Sequence, residues 1–125
     1  MAKTLAMIFG IVFVLVAVLG FATSGPLLGY FETDAVHDAV HLLIGLVLVG
    51  VAAKNGNSAG ALKTVGIIYL LLAIVGFVQF GTSGSGLLLG IAGANAADNY
   101  LHLVLAIVLW VAGKATSGSS SMQTM

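Results

Sequence analysis

Apolar residues run along this chain in four long blocks, and the polar residues collect at their ends. From about Leu5 to Phe21 no charge interrupts the run. The same holds from about Thr64 to Phe80, where Gln79 is the late polar residue. A third block, about Asp34 to Ala53, opens on an acidic and histidine-bearing head and then turns wholly apolar up to Lys54. A fourth, about Ala96 to Ala112, opens on Asp98, Asn99 and His102 and ends near Trp110 and Lys114. Each block suits a helix across a hydrocarbon layer of roughly 30 Å. The pattern therefore predicts four membrane-spanning helices.

The connections differ in character. Lys54 to Gly60 is short and polar, a plain turn. The segment 22–33 contains Gly25-Pro26 followed by Leu27, Leu28, Tyr30 and Phe31; the segment 81–95 is glycine-rich and then carries Leu87, Leu88, Leu89 and Ile91. Both are too apolar to be simply solvated, so they are expected to lie along the interface or fold back over the bundle's end. Residues 115–125 are Ser/Gly-rich and read as a flexible tail. The opening, with Lys3 before an apolar run and a small-residue stretch after it, has the outline of a signal peptide. The run is longer than a usual signal core and is matched by an internal span, so it reads as span one.

That match is part of an internal repeat. Phe9 to Phe21 aligns with Val65 to Phe77 at an offset of 56, both beginning aliphatic after a Gly-Ile pair and ending Gly-Phe. His41 aligns with His102 at an offset of 61. The expected architecture is an all-α polytopic four-helix bundle built from two tandem two-helix repeats, about 5–54 and about 62–114, in one domain spanning 1–114. Two units in the same orientation imply a pseudo-two-fold axis along the membrane normal.

Composition sharpens this. The chain is 60% hydrophobic and 6% charged, with four lysines, four acids and no net charge; mean hydropathy is +1.18. Such values belong to integral membrane proteins. Nucleic-acid binding is excluded as a function class, since phosphate neutralisation needs clustered Lys or Arg. With no cysteine, neither a disulfide framework nor a thiolate site is available. Lys3, Lys54, Lys63 and Lys114 fall on one side of a four-span topology; Glu32, Asp34, Asp38 and Asp98 fall on the other. The positive-inside rule then places both termini in the cytoplasm and the His/Asp heads on the periplasmic or extracellular side of the cell (inner) membrane.

The heads carry the candidate chemistry. At about 100° per residue, Asp34, His37, Asp38 and His41 lie within roughly a 100° arc of one helix face. His37 and His41, spaced i and i+4, can share a Zn²⁺ or Cu²⁺ ion, with Asp34 and Asp38 completing or orienting the site. A helix start also welcomes Asp for capping alone. His41 and His102 form a second candidate: the repeat would bring them near the axis at one depth, each with a small residue four positions deeper, Gly45 and Ala106. Two imidazoles so placed suit a tetrapyrrole, a haem or a chlorophyll, although small residues equally let helices approach. No cofactor is required by the sequence. Three histidines beside acids also suit a pH-responsive element.

Asp38-Ala-Val-His41-Leu42 and Asn99-Tyr-Leu-His102-Leu103, each opening a helix in a four-helix layout, look like the heads of an uncharacterised family of small bacterial four-helix membrane proteins. That resemblance implies architecture and no activity. Hydrolase, nucleotide-binding and zinc-protease motifs are absent, and no ionisable residue sits mid-span, which argues against an enzyme and against a conducting pore. The expected role is a structural, scaffold or accessory subunit of a membrane assembly. Its partners would be the lipid bilayer and either further copies of itself or a larger complex, with tetrapyrrole or metal binding as the alternative.

Overall fold

A computed structural model describes residues 1–23 and 34–124. The predicted fold-back of 24–33, with Gly25-Pro26 and Glu32, lies outside the described residues. Four helices form: α1 Ala2–Ala22, α2 Ala35–Ala53, α3 Ser58–Phe80 and α4 Ala96–Thr124. All four are long and apolar enough to cross a membrane. A helix is the one element that satisfies every backbone N–H and C=O within its own segment, which lipid demands.

The ends are set by local chemistry. Asp34 caps α2, accepting from the His37 N–H at 2.9 Å. Asn57 caps α3, accepting from the Gly60 N–H at 2.9 Å, so this helix starts six residues before the apolar run that announced it. At α4, Asn95 and Asp98 cap each other, each side chain accepting the other's backbone N–H at 3.0 and 2.9 Å. The turn between α2 and α3 uses a left-handed Asn55, whose side chain accepts from Lys3 Nζ at 2.7 Å and so ties the start of α1 to that turn. Past the apolar run α4 continues to Thr124 through residues that read as a flexible tail. No proline stops it, and the Thr116 and Ser117 hydroxyls donate back to the Ala112 and Gly113 carbonyls at 2.7 and 2.8 Å.

One feature has no counterpart in the sequence-based expectation. The loop after α3 folds into a two-stranded antiparallel hairpin, β1 Ser85–Leu88 and β2 Ala92–Asn95, paired from Ser85↔Asn95 to Leu88↔Ala92. Its turn needs positive φ at Leu89 and Gly90. The Leu89 N–H donates to Gln79 Oε1 at 2.8 Å, which gives that late polar residue of α3 its partner.

Packing is chiefly α1 on α2 and α3 on α4, and glycine makes both contacts close. A Cβ at Gly45 would meet the Gly10 carbonyl at 2.8 Å and Val14 N at 2.9 Å; one at Gly66 would meet Trp110 N at 2.9 Å and the Ala106 carbonyl at 3.1 Å. Gly45 and Ala106 thus face α1 and α3, where they permit backbone approach. Between the two pairs lies a core of Phe13, Leu48, Leu62, Val65, Tyr69 and Leu109, with small alanines among them. Leu15, Leu43, Leu71 and Val104 point outward and stay exposed, as suits a lipid-facing surface.

These contacts predict opposite outcomes at two glycines of α2. Gly45→Val should force α1 and α2 apart and destabilise the protein by about 1–3 kcal/mol. Gly50→Ala, where an added Cβ meets nothing within 4 Å, should be neutral or stabilising by up to about 1 kcal/mol. Thermal unfolding in detergent, followed by circular dichroism, checks both.

Candidate functional site

The polar heads of α2 and α4 do not project into solvent. His37, Asp38, His41, Asp98, Asn99 and His102 are all buried, and Asp34 is half-buried. Burying polar atoms in an apolar bundle is costly unless each finds a partner. The arrangement of those partners defines the site.

His37, His41 and His102 converge. One ring nitrogen from each lies within 4.8 Å of the others. The His37 ring meets His41 edge-on at 4.5 Å between centroids and His102 at 5.9 Å. The His37–His41 pair follows from their i, i+4 spacing on α2, while His102 arrives from α4. The two candidate groups read from the sequence, His37 with His41 and His41 with His102, are therefore one cluster.

The carboxylates stand apart from it. Asp34 directs one oxygen at the His37 N–H and the other at the Gly93 N–H, 2.8 Å away. Partial burial pushes its carboxyl pKa up, but these backbone hydrogen bonds outweigh that and leave it below the ordinary value of 3.8. Asp38 packs its carboxylate against Gly20 of α1, where even a Cβ would collide with it. Asp34 thus serves the helix start, and Asp38 lies at the α1 contact. In the second hairpin, Asn99 sits against Gly76 in the same manner.

Gly93 of β2 completes the frame. Its carbonyl lies 2.7 Å from His37 Nδ1. A carbonyl only accepts, so Nδ1 carries a proton and donates; in the neutral ring Nε2 then keeps its lone pair. This is the outer hydrogen bond that ordinarily fixes the tautomer and orientation of a metal-binding histidine. Asp34, His37 and Gly93 close a ring of three hydrogen bonds between the start of α2 and the β-hairpin.

A cavity of about 140 Å³ opens beside the three imidazoles. Tyr69 of α3 lines it together with Val36, Val40, Leu72, Leu88 and Ala94, and the β-hairpin covers it. Tyr69 is 1% exposed. Its ring stacks on Phe13 at 5.5 Å and lies 5.1 Å from the His102 ring. Among the described residues its hydroxyl has no hydrogen-bond partner, and neither do His41 Nδ1 or either nitrogen of His102. Sequence reasoning missed Tyr69 because an aromatic at helical spacing in an aliphatic run reads as core. It missed Gly93 because a backbone carbonyl leaves no trace in side-chain pattern.

A sequence model of the family described as Domain of unknown function (DUF4383) matches residues 3–115. The chain belongs to this family. The match covers all four apolar blocks and every residue of the histidine cluster. No curated protein and no solved structure matches.

The Asp34 ring yields a prediction. Asp34→Ala should remove the α2 cap, worth about 1 kcal/mol, and speed amide exchange at both His37 and Gly93. Asp34→Asn should keep the cap, because its one amide oxygen still accepts from the His37 N–H, and speed exchange at Gly93 alone. Hydrogen–deuterium exchange by NMR in micelles checks this; unchanged protection at Gly93 in both variants would contradict the hydrogen-bond ring.

Proposed function

We propose that this protein is a membrane-embedded metal-binding protein that holds one copper or zinc ion through His37, His41 and His102. The observation that carries the reading is the convergence of three buried imidazole nitrogens within 4.8 Å of one another. Tetrahedral bonds of about 2.0 Å place donors roughly 3.3 Å apart, so binding an ion would draw the three rings inward. Imidazole sets favour late first-row ions, with Cu²⁺ and Zn²⁺ binding most tightly. The His37–Gly93 hydrogen bond supports the same reading, since it occupies Nδ1 and leaves Nε2 as the nitrogen that would bind an ion.

The geometry favours an ion over the tetrapyrrole alternative. His37 shares the space between His41 and His102. The cavity is about 140 Å³, against the roughly 300 Å³ and more of pockets that enclose drug-sized ligands. Gly45 lies in the α1–α2 contact and the Ala106 backbone in the α3–α4 contact, which supports reading them as packing positions. In this reading Asp34 and Asp38 act as supports outside the ligand set.

By the lysine distribution the site sits at the periplasmic or extracellular mouth of the inner-membrane bundle. The protein performs no reaction of its own in this reading. Corresponding contacts at the sequence offsets, Gly20 on Asp38 and Gly76 on Asn99, support descent from a duplicated two-helix unit. A second role, as a packing or accessory subunit, draws on the exposed Leu87, Leu89 and Ile91 of the β-hairpin, which offer an apolar surface beside the site to a neighbouring membrane chain or another copy.

Purified protein, stripped with chelator and reloaded in detergent, should retain one Cu²⁺ or Zn²⁺ per chain by elemental analysis. Each of His37→Ala, His41→Ala and His102→Ala should weaken binding at least about 100-fold in a competition titration. Wild-type protein that retains no metal after desalting would overturn the metal reading. A Soret band at one per chain would restore the tetrapyrrole.

A further inference from the structure

The three histidines explain how an ion is held, and the cavity beside them raises what else it binds. Three imidazoles are neutral donors, so the ligand set itself carries no charge to offset a bound Cu²⁺ or Zn²⁺. Among the described residues no carboxylate lines the cavity, and its walls are otherwise aliphatic apart from Tyr69. In such surroundings a bare dication is strongly disfavoured, and an anion bound directly to it is the most effective compensation. A three-histidine set also leaves a fourth tetrahedral position unfilled. The cavity gives that position somewhere to face, and its volume of about 140 Å³ is several times the roughly 10–15 Å³ that one water needs on the same measure, so it accepts an occupant of a few atoms.

Tyr69 supplies the second half of the argument. It is a buried phenol whose hydroxyl has no partner among the described residues, in a wall it shares with all three histidines. The ring is pinned between Phe13, at 5.5 Å, and His102, at 5.1 Å. An unpaired buried hydroxyl costs stability, whereas donation to an ion-bound anion both removes that cost and strengthens the anion's binding.

Resting on the three-histidine reading, we propose that the bound metal keeps one position open to the cavity and takes a small monoanion there, with Tyr69 donating its hydroxyl hydrogen bond to that anion. Tyr69 is a positioning residue: it selects the exogenous ligand and takes no part in holding the metal. The aliphatic walls and the covering β-hairpin restrict the ligand to a few atoms.

Azide is the probe. Copper(II)-loaded wild-type protein titrated with azide in chloride-free buffer should develop an azide-to-copper charge-transfer band that saturates at one azide per copper. Tyr69→Phe, which keeps the ring and its stacking, should bind copper with the same stoichiometry and the same competition constant but bind azide about tenfold more weakly. Copper-loaded wild type that shows no azide band would overturn the proposal while leaving the metal site standing. Equal azide affinity in wild type and Tyr69→Phe would overturn the role of Tyr69. A wild-type protein that takes up no copper sinks both readings, and the copper analysis separates that result from the other two. If Tyr69→Phe does not accumulate, Val40→Phe, which fills the cavity from a partly exposed wall position, should abolish the azide band while copper remains bound. Undiminished azide binding in that variant would likewise overturn the proposal.

Discussion

The hydrogen bond from His37 Nδ1 to the Gly93 carbonyl spans 56 positions of sequence and joins the two halves of the chain where polar groups are most concentrated. An imidazole buried in an apolar bundle must place both nitrogens, and this bond places one of them. It favours the Nδ1–H tautomer of His37 and ties the β-hairpin, which lines the cavity, to the start of α2. The Gly93 N–H, donated to Asp34, makes the same hairpin part of the α2 cap. Site geometry and helix start are therefore one structure.

The site also depends on how closely the helices pack. In lipid there is no hydrophobic force pressing one helix on another, so association rests on backbone approach and polar contacts. Gly10 with Gly45, and Gly66 with Ala106, bring each helix pair to backbone contact. Nearer the polar end, Gly20 and Gly76 leave room for Asp38 and Asn99 to tuck inside. These residues position α2 and α4 so that His37, His41 and His102 meet, while the Phe13–Tyr69 stack joins the two pairs beneath them.

Much of this was legible in the chain itself. Unbroken apolar runs admit only helices in a bilayer, so the four spans followed from pattern alone. The i, i+4 spacing placed His37 beside His41, and matching the heads of α2 and α4 suggested His41 near His102, which the three-histidine convergence brings together. Other features were hidden for physical reasons. Asp34 and Asp38 share a helix face with the histidines, and face left capping and ion binding both open; Asp34 caps its own helix, while the contact of Asp38 with Gly20 comes from another helix and has no local signal. Gly45 and Ala106 suited either room beneath a ring or close helix packing, because a small residue signals closeness without saying to what. The β-hairpin has strands of only four residues and no alternation to announce it, and its effect on the site comes through the backbone of Gly93.

X-ray absorption at the metal edge of the loaded protein in detergent tests the central claim most directly. Three imidazole donors at about 2.0 Å, falling to two in His37→Ala, are the expected first shell, with one further oxygen or nitrogen donor beside them. A shell dominated by carboxylate oxygens, or one that keeps its imidazole count when His37 is removed, would contradict a site built from His37, His41 and His102.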